Sequence, residues 1–216
     1  MAMSEEEQIE RLQSWWRENG TSLVAAIVVA VAAVVGWRHY QELERTEAAA
    51  ASSVYENMTN AIQQAQQAPE KQSLVTQAQA SANTLVEEHA NSAYADFARL
   101  FLARLAVEKD DLDEARTLLD EVAKGASDPA VAWTANLRLA RVELQADDAD
   151  AALAVLSQTY PDAFMGQALE LKGDALRAKG DVAGARDAYS AALDAMSVEE
   201  NRRLVQMKLD DLVPAS

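Results

Sequence analysis

Few side chains in this chain of 216 residues have types and spacing that suit chemistry. The two histidines, His39 and His89, stand far apart, and there is no cysteine. Thiolate nucleophiles, thiolate zinc sites and disulfides are therefore excluded, and a multi-histidine metal centre has too few ligands. One acidic run is Lys109-Asp-Asp-Leu-Asp-Glu114, with four acids in six residues. A calcium loop would also need a central glycine and a distal bidentate glutamate at fixed offsets, which are missing here. The run reads instead as a turn followed by a helix N-terminus, where acids favour the dipole. His89 follows Glu87-Glu88 at a helix end, where the dipole stabilises a cation, and His39 lies beside Arg38 at an expected membrane boundary. No glycine-rich phosphate loop, G-x-S-x-G elbow or H-E-x-x-H pair occurs. Methionines such as Met165 and Met207 read as core fillers. The chain is expected to be no enzyme, to need no cofactor or metal, and to take no small-molecule substrate. Its 35 acids against 19 bases give a net charge of −16, which argues against a nucleic-acid partner.

Hydrophobic residues make up 50 % of the chain, and there are only 7 Gly and 4 Pro. Alanine is abundant and aromatics reach 6 %, a composition that favours close-packed helices over strands. The fold class expected is all-α. No charge occurs between Glu18 and Arg38, and Leu23 to Val35 is purely apolar. A helix over Asn19 to Trp37 would span roughly 28 Å, close to the hydrocarbon thickness of a bilayer. Trp15 and Trp16 flank one side and Trp37 and Tyr40 the other, at headgroup spacing. Residues 19–40 are read as a transmembrane helix with interfacial flanks. A buried soluble helix and a cleaved signal are the alternatives. The acidic tail Ser4 to Glu10 and the lack of a small-residue cleavage site speak against the signal. Arg11 and Arg17 precede the span and Arg38 and Arg45 follow it, so charge alone leaves its orientation open. The tail, residues 1–18, has Ile9, Leu12, Trp15 and Trp16 at helical spacing, as an amphipathic lead-in or a docking handle would.

From His39 onward, 30 acids against 16 bases leave a net charge of −14. Residues 41–92 are expected to form a long linking helix that ends before Pro69 and a second helix from Glu70 to Glu88. Leu74, Ala78, Ala82, Leu85 and Val86 mark the apolar stripe of that second helix. Residues 93–216 contain a repeat. Lys109 to Leu119, Ala146 to Leu156 and Lys179 to Tyr189 each carry a short polar turn, a small alanine and a large apolar residue four positions later. The alanines are Ala115, Ala152 and Ala185, and the large residues are Leu119, Leu156 and Tyr189. A helix of about sixteen residues is expected before each turn: Ala93 to Glu108, Ala130 to Gln145 and Ala163 to Ala178.

The pattern resembles the tetratricopeptide repeat, a helix-turn-helix unit. Leu169, Gly173, Leu176, Gly180, Ala185, Tyr189 and Ala192 fall on its signature spacing. Gly173 and Ala185 would let two helices approach, with Leu176 and Tyr189 beside them. In the first two copies Ala103 and Ala140 replace the first helix's glycine, and Asp110 and Asp147 stand where Gly180 does. Lys172 departs from the expected leucine. A last helix from about Val198 to Leu212 is expected to cap the stack.

The concave face of such a solenoid is a candidate partner groove. In the third copy's alignment Phe97, Leu100 and Arg104 would line it from the first unit. Thr134, Leu137 and Arg141 would do so from the second, and Gln167, Glu170 and Asp174 from the third. The three apolar residues are either groove residues or core. The two arginines would pair with local acids or meet an acidic partner.

Ser14-Trp-Trp-Arg-Glu-Asn-Gly20 before the apolar segment, Gly36-Trp-Arg-His-Tyr-Gln41 after it and the hairpins behind occur together. Together they resemble the ancillary SecYEG translocon subunit family of Gram-negative bacteria. The resemblance implies a bacterial inner-membrane protein of one pass, with a cytoplasmic N-terminus and a periplasmic C-terminal domain. It implies as partners the SecYEG channel and a membrane-anchored chaperone of the peptidyl-prolyl isomerase type. The implied role is passing translocated proteins to periplasmic chaperones, with a link to restraint of an envelope-stress response regulator. Trp15, Trp16, Asn19, Gly20, Gly36, Trp37 and Arg38 match the family's flanks. Their implied role is membrane placement and channel contact. A tethered scaffold for another envelope assembly is the competing reading.

Overall fold

The computed structural model describes residues 5–68, 71–196 and 199–212. Among them every regular element is an α-helix. The chain divides into two compact units, Met1–Ala50 and Ala51–Ser216.

The first unit is built on α1 (Glu5–Gln67), whose residues from Ala51 onward belong to the second unit. The expected tail helix, span and linking helix are one continuous helix, because no proline falls between Glu5 and Gln67. The helix is long and apolar enough to cross a membrane, and its apolar residues from Leu23 to Val35 are exposed. Gly20 is buried beneath an indole: a Cβ there would lie 3.1 Å from the Trp16 ring. Asn19 Nδ2 donates to the Trp15 carbonyl at 3.1 Å. Trp37 and Tyr40 sit one turn apart with ring centroids 6.2 Å from each other.

The second unit is a run of helical hairpins, each packed on the next. Ala51–Gln67 of α1 pairs with α2 (Gln72–Glu88), and Glu70 lies outside the described residues. Next come α3 (Ala93–Glu108) with α4 (Leu112–Gly125), then α5 (Pro129–Gln145) with α6 (Ala149–Val155). After these come α7 (Asp162–Ala178) with α8 (Val182–Ala195), and finally α9 (Glu199–Asp210). The core follows the chain in overlapping clusters. Met58, Ala82, Leu85 and Leu102 join α1, α2 and α3. Leu100, Leu119 and Leu139 join α3, α4 and α5. Leu137, Leu156 and Leu171 join α5, α6 and α7, and Tyr189 and Val205 join α8 to α9. Each hairpin thus buries its apolar face only against its neighbours, as a solenoid does.

The turns repeat in detail. Asp110, Asp147 and Gly180 all adopt positive φ, at 62°, 58° and 80°. The residue after each is an aspartate that caps the following helix. Asp111, Asp148 and Asp181 accept from the backbone N–H of Glu114, Ala151 and Gly184 at 3.1, 2.8 and 2.9 Å. The acidic run at 109–114 is therefore a left-handed turn residue, a helix cap and first-turn acids. Helix α6 is only seven residues long, ending at Val155, and Pro161 stands at the N-cap of α7. The tilted rings of Trp133 and Tyr160 lie with centroids 5.0 Å apart, and the Tyr160 hydroxyl donates to the Val155 carbonyl at 3.2 Å.

Gly173 is where α7 and α8 come closest. A Cβ there would stand 2.4 Å from the Tyr189 ring. Ala115, Ala152 and Ala185 are fully buried at the equivalent seams, as are Ala103 and Ala140 or nearly so. Leu119, Leu156, Tyr189 and Ala192 are buried, and Leu176 packs beside Tyr189. The Tyr189 hydroxyl donates to Asp174 Oδ1 at 2.7 Å. Burial first, and the Asp174 carboxylate second, push its phenol well above the ordinary tyrosine range. Val205 of α9 is fully buried against this hairpin. Met165 packs at the α5–α7 seam, whereas Met207 is 61 % exposed and fills no core. Its position puts it on the outer side of α9, opposite Val205. Val198, the expected start of this helix, lies outside the described residues.

Candidate functional site

Alternating helices of the solenoid leave α3 and α5 facing a shared groove of about 330 Å³. Leu100, Ala103 and Val107 of α3, Leu119 of α4 and Val142 of α5 supply its apolar surface. Arg104 of α3 and Arg138 and Arg141 of α5 supply its charge. The helical period places them there: Leu100, Arg104 and Val107 share one face of α3, and Arg138 and Arg141 share one face of α5. A second groove of about 230 Å³, between α1, α2 and α3, is lined by Ile62, Val75, Phe101 and Glu108 and shares Arg104 with the first.

The three arginines are not equivalent. Arg104 Nε meets Glu108 Oε1 at 3.1 Å, and its guanidinium carbon lies 5.6 Å from the Phe101 ring centroid. Arg138 and Arg141 make no ion pair among the described residues. Lost water along the groove wall, then the charges of Arg141 and Arg104, hold Arg138 below the ordinary arginine range. Beneath the groove a different arginine is fully engaged. Arg116 of α4 donates from Nε and Nη2 to the two carboxylate oxygens of Glu143 at 2.8 and 3.0 Å. Glu143 is only 6 % exposed, so this bidentate pair clamps α4 to α5 and leaves no acid for the groove.

Of the residues expected to line the groove, Arg104, Arg141 and Leu100 come together in it. Leu137 does not: it is 2 % exposed, in the core shared by α5, α6 and α7. Leu100 is itself a core residue whose edge forms the groove floor. Phe97 is 40 % exposed but packs its ring 6.0 Å from Tyr55 of α1 and lies outside the α3–α5 groove. Thr134 is part-buried and donates to the Ala130 carbonyl at 2.8 Å, one turn back on its own helix. Gln167 is exposed. Glu170 and Asp174 line no open groove, because Lys208 of α9 reaches both carboxylates at 2.7 Å. The third unit's inner face is thus occupied by the capping helix. Arg138 escaped the sequence reading, although it stands one turn before Arg141 on the same face. Lys208 escaped it because no helical period reveals which earlier acids a capping helix will cover.

Among the described residues no group of three or more His, Asp or Glu side chains is arranged to hold a metal ion. What the groove can do chemically is bind: an apolar floor takes an apolar side chain, and guanidinium groups take carboxylates.

Comparison with known proteins gives a consistent picture. Three curated relatives are each called an ancillary SecYEG translocon subunit. That of Haemophilus influenzae is 32 % identical over 59 % of this chain and 58 % of its own length. That of Escherichia coli is 30 % identical over 58 % and 56 %. That of Aggregatibacter actinomycetemcomitans is 28 % identical over 58 % and 57 %. The chain thus spans under three fifths of the length of the relatives it matches. No solved structure matches it. The family model described as a tetratricopeptide repeat-like domain covers residues 13–214, apolar helix and hairpins together. The chain therefore belongs to the tetratricopeptide repeat-like domain family.

Proposed function

We propose that this chain is a non-enzymatic accessory subunit of the protein-secretion translocon, anchored in the bacterial inner membrane by residues 19–40. The observation that carries the proposal is the shared name of the three relatives, joined to a family match over the hairpins and the apolar helix. The architecture supports it: an exposed apolar helix for anchoring and a solenoid whose open groove suits protein segments. In this reading residues 1–18 are a cytoplasmic tail. Trp15, Trp16, Trp37, Arg38 and Tyr40 seat the anchor at the two interfaces, and Asn19, Gly20 and Gly36 belong to its flanks. Residues 41–92 lead into the solenoid, and residues 93–216 form its repeats in the periplasm. The solenoid passes translocated proteins on, together with a membrane-anchored chaperone of the peptidyl-prolyl isomerase type. It also restrains an envelope-stress response regulator.

The test is a C-terminal tag in intact cells. The tag is expected to be reachable from the periplasmic side, and gentle detergent purification on it should bring down the secretion channel. Deletion of residues 1–40 should abolish that recovery. A protected, cytoplasmic tag overturns the orientation. Recovery that survives loss of the anchor and of the solenoid alike overturns the translocon reading.

A further inference from the structure

The second unit is strongly acidic, yet one groove on it is basic. Five of its other cations pair with nearby acids: Arg99 with Asp96 and Glu121, Arg116 with Asp113 and Glu143, Lys124 with Asp120, Lys179 with Asp150 and Lys208 with Glu170 and Asp174. Arg138 and Arg141 are not paired in this way. They project from one face of α5 into the same groove as Arg104, with no acid paired to either among the described residues. Two like charges three positions apart on one helix face repel each other, and no carboxylate lines the groove beside them. An anionic occupant removes that conflict. The floor under the arginines is apolar, formed by Leu100, Val107, Leu119 and Val142, so a bare anion would leave it wet.

We propose that the α3–α5 groove binds an acidic–apolar segment of another protein chain, with carboxylates on Arg138 and Arg141 and an adjacent apolar side chain on the floor. The proposal rests on the reading that the solenoid holds protein segments, and it names the chemistry of the segments held. The wide excess of acids elsewhere then has a use: it disfavours acidic chains on the acidic surfaces away from the groove. A nucleic acid or an anionic bilayer would meet the same repulsion over a much larger area, which is why a short segment is the occupant favoured.

The test uses full-length protein in mild detergent and titration calorimetry with three short synthetic peptides set in Gly and Ser. One carries Asp, Leu and Glu together, one carries Asn, Leu and Gln, and one carries Asp and Glu without Leu. The first is expected to bind, with affinity falling about tenfold or more in the Arg138→Glu, Arg141→Glu double variant and in high salt. The two control peptides should bind about tenfold more weakly than the first. Both arginines are surface groups, so the variant should melt like the parent. An Arg138→Lys, Arg141→Lys variant that melts alike should keep part of the affinity.

Equal binding of the amide peptide overturns the role of the arginines and leaves an apolar groove. Equal binding of the peptide without leucine overturns the role of the floor and leaves a simple anion site, open to phosphate or lipid headgroups. Loss of self-association in the double variant, measured by sedimentation, would make a second copy of this chain the occupant and overturn the proposal. Channel recovery on the C-terminal tag is scored in the same variant. If recovery persists while no peptide binds, the groove assignment fails and the translocon reading stands. If the peptide binds and no channel is recovered, the translocon reading fails alone.

Discussion

Gly173 and Tyr189 form one contact seen from two helices. The ring of Tyr189 occupies the space where any side chain at Gly173 would begin. Gly173→Leu should therefore force α7 from α8 and cost about 1–3 kcal/mol or more, read as a lower urea midpoint. An unchanged midpoint would mean that the two helices do not meet there. This contact was legible in the sequence, because a small residue and a large one recur at fixed offsets. The positive-φ turn was legible as well, with Asp110 and Asp147 aligned on Gly180. Aspartate tolerates that backbone better than most side chains but less well than glycine. What could not be read was which charges would find partners. Arg116 and Arg138 are both arginines on helix surfaces, and only folding decides that Glu143 belongs to the first and no acid to the second.

At the scale of elements, periodicity places α3 to its residue limits and α5 and α7 to within one residue, because Ser92, Asp128 with Pro129, and Pro161 punctuate the chain. The groove was harder. A helix in a solenoid has two buried sides, one for its own hairpin and one for the next, and a single period does not separate them from the open face. Leu137, which the sequence leaves as either groove or core, lies on a buried side. The α4–α5 clamp belongs to the same scale. Glu143→Ala should loosen the two helices by about 1–2 kcal/mol, the lower part of the range for charged hydrogen bonds, since the far end of Arg116 reaches water. The check is thermal melting of Glu143→Ala beside Arg116→Ala and the double variant. Coupling of the two single effects is expected, and simple additivity would show that the clamp contributes nothing.

At the scale of the whole molecule, the exposed apolar run from Leu23 to Val35 and the acidic second unit have opposite solvent preferences. A fragment starting at Ala51 keeps all four core clusters and loses the exposed apolar run from Leu23 to Val35. It should stay in solution without detergent, with the helical circular dichroism expected of the hairpins, whereas full-length protein should require detergent. Precipitation of the fragment would show that residues before Ala51 complete the fold. Three of the chain's four tryptophans, Trp15, Trp16 and Trp37, lie in the segment that such a fragment lacks. The fourth is Trp133, its ring tilted against Tyr160 at the middle seam beside the short helix α6. The fragment therefore carries a single tryptophan, with a tyrosine energy donor in contact, at the joint between its second and third repeats. Its emission reports the opening of that joint alone, so fraying from either end of the stack can be told from a break in the middle without any added label.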